Sequence, residues 1–183
     1  MDRRFMKVVF LDRDGTINVD HGYVHRVEDW RFTERAIDAI RRLRTASFRI
    51  AVVTNQSAVA GGRYSAADIL RLHEFVARQL EAEGTHVDAW VFCPHARDAG
   101  CECRKPRIGM AREVERQLGG SINYSESWMV GDKPSDVEFG QSLGMATVLL
   151  TSRYWTGEER RCEPTIVADS LAQAADIILG ETR

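Results

Sequence analysis

Apolar residues along the chain fall into short runs that alternate with stretches of helical period, and this alternation predicts the fold. Lys7-Val-Val-Phe-Leu11 is rich in β-branched residues, ends at an acidic turn and reads as a buried strand. Arg49-Ile-Ala-Val-Val-Thr54, Val87–Phe92, Trp128-Met-Val130 and Ala146–Leu150 repeat the pattern, and Val167 marks a last short strand. Between them, Ala36, Ile37, Ala39, Ile40 and Leu43 share one face of a helix over Glu34–Ala46, with arginines opposite. Ser65 is placed to cap a helix running to about Glu83, whose apolar stripe is Ile69, Leu72, Phe75, Val76 and Leu80. Further helices are expected over Met110–Leu118, where Gly119-Gly120 stops the chain, over Ser135–Leu143, and over Leu171–Leu179. Strand following helix throughout predicts an α/β fold, a Rossmann-like, mostly parallel sheet flanked by helices on both faces. With no internal repeat and no linker, residues 1–183 are expected to form a single domain. In such a sheet ligands collect beyond the carboxyl ends of the strands, and every polar motif considered below follows a strand.

Composition narrows the classes of function. The 183 residues carry a formal net charge of −2, with 25 Lys and Arg against 27 Asp and Glu. No strongly basic field exists to draw the chain onto nucleic acid or an anionic membrane. The Val8–Leu11 run is too short, and too charged at its borders, for a signal peptide or a membrane span, so a cytoplasmic protein is expected. Four cysteines are too few for a disulfide scaffold of this length. Three of them crowd into one segment, a spacing that suggests metal ligation in a reducing compartment, while Cys162 lies far from them in sequence and reads as an inert thiol.

The first strand delivers Asp12-Arg13-Asp14-Gly15-Thr16, two carboxylates two residues apart beside a glycine that permits a sharp turn. On a strand-like segment both can face one side, so that one attacks as a nucleophile while the other donates a proton to the leaving group. An isolated D-x-D-G is as readily a solvated acidic turn. The second strand ends in Thr54-Asn55-Gln56-Ser57, whose hydroxyl and amide groups can bond a phosphate or simply cap a turn. Arg104-Lys105-Pro106 supplies two cations, and Gly131-Asp132-Lys133-Pro134-Ser135-Asp136 adds two carboxylates at the same sheet edge. With Asp12 these could hold a hard divalent cation. Phosphate monoester cleavage needs accelerations up to about 10²¹-fold, of which acid–base help supplies roughly 10² to 10⁴. Electrostatics must provide much of the rest, and Mg²⁺ suits an oxygen donor set that leaves positions for water and a phosphate oxygen.

Cys93-Pro94-His95 and Cys101-Glu102-Cys103 place four soft or borderline ligands in one loop without apolar periodicity. A Cys₃His set suits Zn²⁺, and a filled tetrahedron implies a structural ion that orders the loop and positions Arg104 and Lys105. Unligated thiols are the plain alternative. His21 and His25, around Gly22-Tyr23, could line a polar pocket or pack in a loop; His73 and His86 have less claim. Arg63 and Tyr64, after Gly61-Gly62, could reach a distal anionic group or lie solvated.

Taken in order, Asp12-x-Asp14-Gly15-Thr16, Thr54-Asn55, Lys105 and Gly131-Asp132 with Asp136 resemble the haloacid dehalogenase superfamily of phosphohydrolases over nearly the whole chain. More narrowly, Asn18-Val-Asp-His21-Gly-Tyr-Val-His25, Thr54-Asn-Gln-Ser57, Cys93-Pro-His95 and Cys101-x-Cys103-Arg-Lys-Pro106 resemble its heptose-bisphosphate phosphatase family, with the histidinol-phosphate phosphatases as relatives. The resemblance implies a fold without a large cap domain, in which loops shape the pocket. It implies that Asp12 is phosphorylated and that Asp14 protonates the leaving group and then activates water. Asp12, Asp132 and the backbone carbonyl of Asp14 would ligate Mg²⁺, with Asp136 behind them. Thr54 and Lys105 would hold the transferring phosphoryl group, Asn55 and Arg104 would lie near the substrate, and Cys93, His95, Cys101 and Cys103 would bind zinc.

A sugar bisphosphatase in nucleotide-heptose supply for cell-surface glycans is the expected function, with histidinol phosphate as the alternative substrate. A 3′-phosphatase for polynucleotide ends is more distant, and a zinc-based nucleic-acid or protein interaction module would not need the Asp12–Asp14 pair. The only partner expected is the small-molecule sugar phosphate, with no nucleic acid, membrane or obligate protein partner.

Overall fold

A computed structural model of the chain describes residues 5–152, 157 and 162–181. Six strands form one sheet: β1 (Val8–Leu11), β2 (Arg49–Asn55), β3 (Ala89–Cys93), β4 (Trp128–Gly131), β5 (Ala146–Leu150) and β6 (Ile166–Ala168). Their order is β3-β2-β1-β4-β5-β6 and every pairing is parallel, as expected for strands joined by helical crossovers. The helices are α1 (Ala36–Thr45), α2 (Ala66–Ala82), α3 (Gly109–Leu118), α4 (Pro134–Ser142) and α5 (Leu171–Ile178). Each lies within a few residues of its expectation from the sequence, and β3 starts two residues later than its apolar run because Asp88 bonds the backbone N–H of Ile50 instead.

Alternation along the central strand sorts the core into two layers. Val9 and Leu11 pack with Ile40, Leu43, Leu72, Val76 and Leu171, which places α1, α2 and α5 against one face. Val8 and Phe10 pack with Met110, Val114 and Phe139, from α3 and α4, on the other. Both faces are therefore covered, and β1 is apolar at every position because neither side meets water. The caps follow the sequence signals: Ser65 accepts from the Asp68 N–H in a capping box, and Gly119, at φ 68°, ends α3. Phe75, expected in the α2 stripe, is only half-buried; His73 takes an interior place there instead. Among the described residues no helix is long and apolar enough to cross a membrane.

The sheet order reverses direction between β1 and β4, since β1 leads outward to β2 on one side while β4 leads to β5 on the other. Loops leaving these two strands diverge and open a crevice at their carboxyl ends. The acidic motifs follow those two strands.

Candidate active site

Asp12 leaves the end of β1, anchored by its backbone N–H to the Val130 carbonyl of β4 at 2.9 Å. Asp132 follows β4 directly, and oxygens of Asp12, Asp132 and Asp136, all buried, lie within 4.8 Å of one another. Gly15 makes this approach possible. It sits at φ +83°, and a Cβ there would collide with the Asp132 carboxylate.

Cations hold the cluster together. The Lys105 ammonium, itself buried, donates to Asp12 Oδ1 at 2.8 Å and to the Val53 carbonyl at 2.7 Å, and pairs with Asp136 Oδ1 at 2.6 Å. Burial alone would push the Asp12 carboxyl up, yet the ammonium groups of Lys105 and Lys133 outweigh it and hold Asp12 below its ordinary value, so it stays ionised. Burial likewise disfavours charge on Lys105, and Asp12 and Asp136 reverse that too. Asp136 has both oxygens engaged, since Oδ2 accepts from the Lys133 N–H at 3.0 Å at the start of α4.

Asp132 is the member whose cation stands farthest off. Its buried Oδ1 has no hydrogen-bond donor, and the nearest cation, the half-exposed Lys133 ammonium, is 3.4 Å away. Burial, opposed by Lys133 and reinforced by the charges of Asp12 and Asp136, pushes Asp132 up to about 7. An orphaned carboxylate oxygen beside a second ionised carboxylate is what a divalent cation would satisfy, and the all-oxygen donor set fits a hard ion.

Asp14 faces the same crevice and is held by three neighbours. It pairs with Arg13 at 2.8 Å, and accepts from Asn18 Nδ2 at 3.0 Å and Gln56 Nε2 at 2.9 Å. Arg13 occupies the alternate position and is fully buried. Asp12, Asp14, Thr54, Asn55, Lys105, Lys133, Ser135 and Asp136 line a void of about 30 Å³, room for roughly one water molecule. It adjoins a cleft of about 410 Å³ through Asp14, Asn55 and Lys133, and His21, Tyr23, Gln56 and Arg97 line the outer part of that cleft.

The cysteine loop forms a second cluster. Cys93 Sγ lies 3.6 Å from His95 Nδ1 and from Cys101 Sγ, and 3.1 Å from Cys103 Sγ; His95 Nδ1 lies 3.1 Å from Cys103. A tetrahedral ion with zinc–sulfur bonds of about 2.3 Å separates its ligands by somewhat under ~4 Å, so the spacing is compatible with zinc. The loop then leads straight to the acidic cluster. Asn55 clamps Lys105 by accepting from its N–H at 3.0 Å and donating to its carbonyl at 3.2 Å, which ties the loop to the end of β2.

Most residues expected from the sequence converge here, and a few do not behave as expected. Tyr64 does not reach outward to an anion; it is buried and donates to Gln56 Oε1 at 2.7 Å. Arg63 lies over the Tyr23 ring, 4.3 Å from its centroid, and His25 stacks on Tyr64 while His21 faces the cleft. Arg104 lines a neighbouring cavity of about 200 Å³ with Lys105, Arg97 and Arg107. Arg97 and the burial of Arg13 were not read from the sequence, and Gln56 and Lys133 stood there only inside longer motifs, with no role of their own. Strand alternation from Thr54 carries a signal for Gln56, and adjacency to Asp132 carries one for Lys133.

Comparison with known proteins agrees with this geometry. The profile of the family described as polynucleotide kinase 3 phosphatase matches residues 7–147. A D-glycero-beta-D-manno-heptose-1,7-bisphosphate 7-phosphatase of Yersinia pestis is 38% identical over 168 residues, 88% of this chain and 87% of that protein. The Escherichia coli K12 protein of the same name is 38% identical over 149 residues, covering 78% of this chain and 77% of its own. Among solved structures, a D,D-heptose 1,7-bisphosphate phosphatase from B. bronchiseptica, complexed with magnesium and phosphate, superposes with a TM-score of 0.82 at 34% identity. It covers 97% of this chain and 100% of its own. The chain is thus a phosphoric monoester hydrolase of the haloacid dehalogenase type and belongs to the family of D-glycero-beta-D-manno-heptose-1,7-bisphosphate 7-phosphatases.

Proposed function

We propose that the chain removes the 7-phosphate of D-glycero-D-manno-heptose 1,7-bisphosphate through a phosphoryl-aspartate at Asp12, as one domain acting in the cytoplasm on the route to nucleotide-activated heptose. The observation that carries this reading is the ionised Asp12 carboxylate, 2.8 Å from the buried Lys105 ammonium and inside the Asp12–Asp132–Asp136 cluster. A buried carboxylate held in its charged form by fixed cations is a ready nucleophile toward phosphorus.

An Asp12 oxygen attacks the phosphorus in line, and the bond from phosphorus to the sugar oxygen breaks with its electron pair passing to that oxygen. Asp14 delivers the proton the departing oxygen needs. It then takes a proton from the water that cleaves the phosphoryl-aspartate, restoring Asp12 and releasing phosphate. Lys105 and Thr54 hold the transferring group, while Asn55 fixes Lys105 and Arg104 stands near the substrate. Asp12, Asp132 and the backbone carbonyl of Asp14, with Asp136 behind them, would hold Mg²⁺, which would supply charge favouring the approach of an anionic ester to an anionic nucleophile. Cys93, His95, Cys101 and Cys103 would hold Zn²⁺, which would order the loop carrying Arg104 and Lys105.

The family profile named for a polynucleotide 3-phosphatase raises a nucleic-acid substrate as the competing reading. A net charge of −2, and a cleft in which Lys133 and Arg97 are matched by Asp14 and Asp20, provide no basic excess for a polyanionic backbone. Phosphate release from heptose bisphosphate, histidinol phosphate, fructose bisphosphate and a 3′-phosphorylated oligonucleotide decides between them. Heptose bisphosphate is expected to give the highest kcat/KM; equal or faster turnover of histidinol phosphate or the oligonucleotide rejects the substrate assignment.

A further inference from the structure

The hydrogen bonds beside Asp14 all run in one direction, and that direction is set by Tyr64, a mostly buried residue on the wall of the larger cleft. Tyr64, just before the Ser65 cap of α2, donates its hydroxyl proton to Gln56 Oε1 at 2.7 Å. Burial pushes its phenol up to about 12, so the proton is retained at any working pH. With the amide oxygen turned to Tyr64, the amide nitrogen of Gln56 faces the site. Its two hydrogens go to Asp14 Oδ2 and Thr54 Oγ1, each 2.9 Å away. The reverse orientation would set the amide oxygen against the Asp14 carboxylate, acceptor against acceptor. His25 stacks on the Tyr64 ring at 4.5 Å between centroids and 15° between planes, which fixes the phenol in place.

This chain has a consequence for Thr54. An amide nitrogen cannot accept, so the Thr54 hydroxyl must be the acceptor from Gln56, and its own proton is left for another partner. We propose that Gln56 and Tyr64 are positioning residues: Tyr64 orients the Gln56 amide, which holds the Asp14 carboxyl in place for proton transfer and leaves the Thr54 hydroxyl proton to the phosphoryl group. The inference rests on the phosphatase reading above, in which Asp14 serves the leaving group.

Leaving-group chemistry tests it. p-Nitrophenolate departs without a proton, whereas phenolate gains from one, so misplacing Asp14 slows phenyl phosphate more than p-nitrophenyl phosphate. A disturbed Thr54 hydroxyl, or general loosening of the fold, slows both alike. For Tyr64→Phe, the ratio of kcat/KM for phenyl to p-nitrophenyl phosphate is expected to fall about tenfold below wild type, with a similar or larger fall for Gln56→Leu. Since Tyr64 acts through Gln56, the double variant is expected to show the same ratio as Gln56→Leu.

If Tyr64→Phe does not fold, Gln56→Leu reads the same ratio, with a thermal melt as the folding control. An unchanged ratio in either variant overturns the positioning role, whether the two rates fall together or stay at wild type. So does a further tenfold loss in the double variant. Wild-type protein that releases phosphate from neither ester nor heptose bisphosphate sinks the phosphatase reading and this inference with it, while an unchanged ratio in an active enzyme sinks the positioning alone.

Discussion

Replacing Asp132 by asparagine is expected to stabilise the magnesium-free protein while abolishing its response to magnesium. Carboxylates up to 4.8 Å apart repel by about 3 kcal/mol at an effective dielectric of ~20, and Asp132 faces both Asp12 and Asp136. Its carboxyl is pushed up to about 7 from an ordinary 3.8, by burial first and by those neighbours as well. Between these two values the folded chain holds a proton that the unfolded chain has released. Stability contributed by this group therefore falls as pH rises through that window. At about 1.36 kcal/mol per pH unit, the cost of ionised Asp132 approaches ~4 kcal/mol above neutrality. Asparagine avoids the charge but still buries an amide, so a net gain of about 2 kcal/mol is expected at a pH of about 8, shrinking toward zero near the ordinary carboxylate value. Urea unfolding at both pH values, in magnesium-free buffer and in saturating Mg²⁺, measures it. Wild type is expected to gain stability from Mg²⁺ and Asp132→Asn to gain little. A variant less stable than wild type without magnesium at the higher pH, or equal stabilisation of both by Mg²⁺, refutes the reasoning.

Three further outcomes follow from other parts of the molecule. Gly15→Ala forces a Cβ into the Asp132 carboxylate at φ +83°; a stability loss of about 1–3 kcal/mol is expected in chemical denaturation, with turnover reduced at least tenfold. His73 is buried with neither ring nitrogen bonded, and burial, with a smaller contribution from Arg13, pushes it down to about 3. Its unfolded form takes up a proton near 6.5, so wild type loses about 2 kcal/mol as pH falls to ~5, and His73→Leu is expected to flatten that loss in melts recorded across the range. Cys103→Ser removes the ligand 3.1 Å from both Cys93 and His95; metal analysis is expected to show zinc lost, with phosphate release falling as Lys105 loses its support.

Periodicity carried the elements because the central strands are covered on both faces, β1 being buried at every position, and the helices turn apolar residues onto the sheet. Asp12, Asp14 and Asp132 stood out in sequence because they follow the ends of β1 and β4, and Thr54 because it lies at the end of β2, where the sheet delivers its loops to one edge; Lys105 stood out only as part of the cysteine-loop motif. What sequence did not show were contacts set by the third dimension. Tyr64 reads as an exposed loop residue beside Gly61-Gly62, yet α2 turns it inward to Gln56. His73 sits among apolar stripe residues, where Trp90 and Phe92 enclose its ring. Arg13 reads as a charged turn residue and instead is buried, where its guanidinium meets the Asp14 carboxylate and the Val24 carbonyl. The clustering of Cys93, His95, Cys101 and Cys103 was legible because a Cys₃His set in one loop is distinctive. The clamp of Asn55 on Lys105, which joins that loop to the catalytic edge, spans 50 positions and leaves no local trace.

The central claim is that a phosphoryl group passes onto Asp12, and intact-protein mass spectrometry of acid-quenched turnover, followed by peptide mapping, tests it most directly. The account predicts one added phosphoryl group on Asp12 in wild type, and none in Asp12→Asn, which remains folded and inactive. A phosphoryl group on another residue, or phosphate release by Asp12→Asn at the wild-type rate, contradicts it.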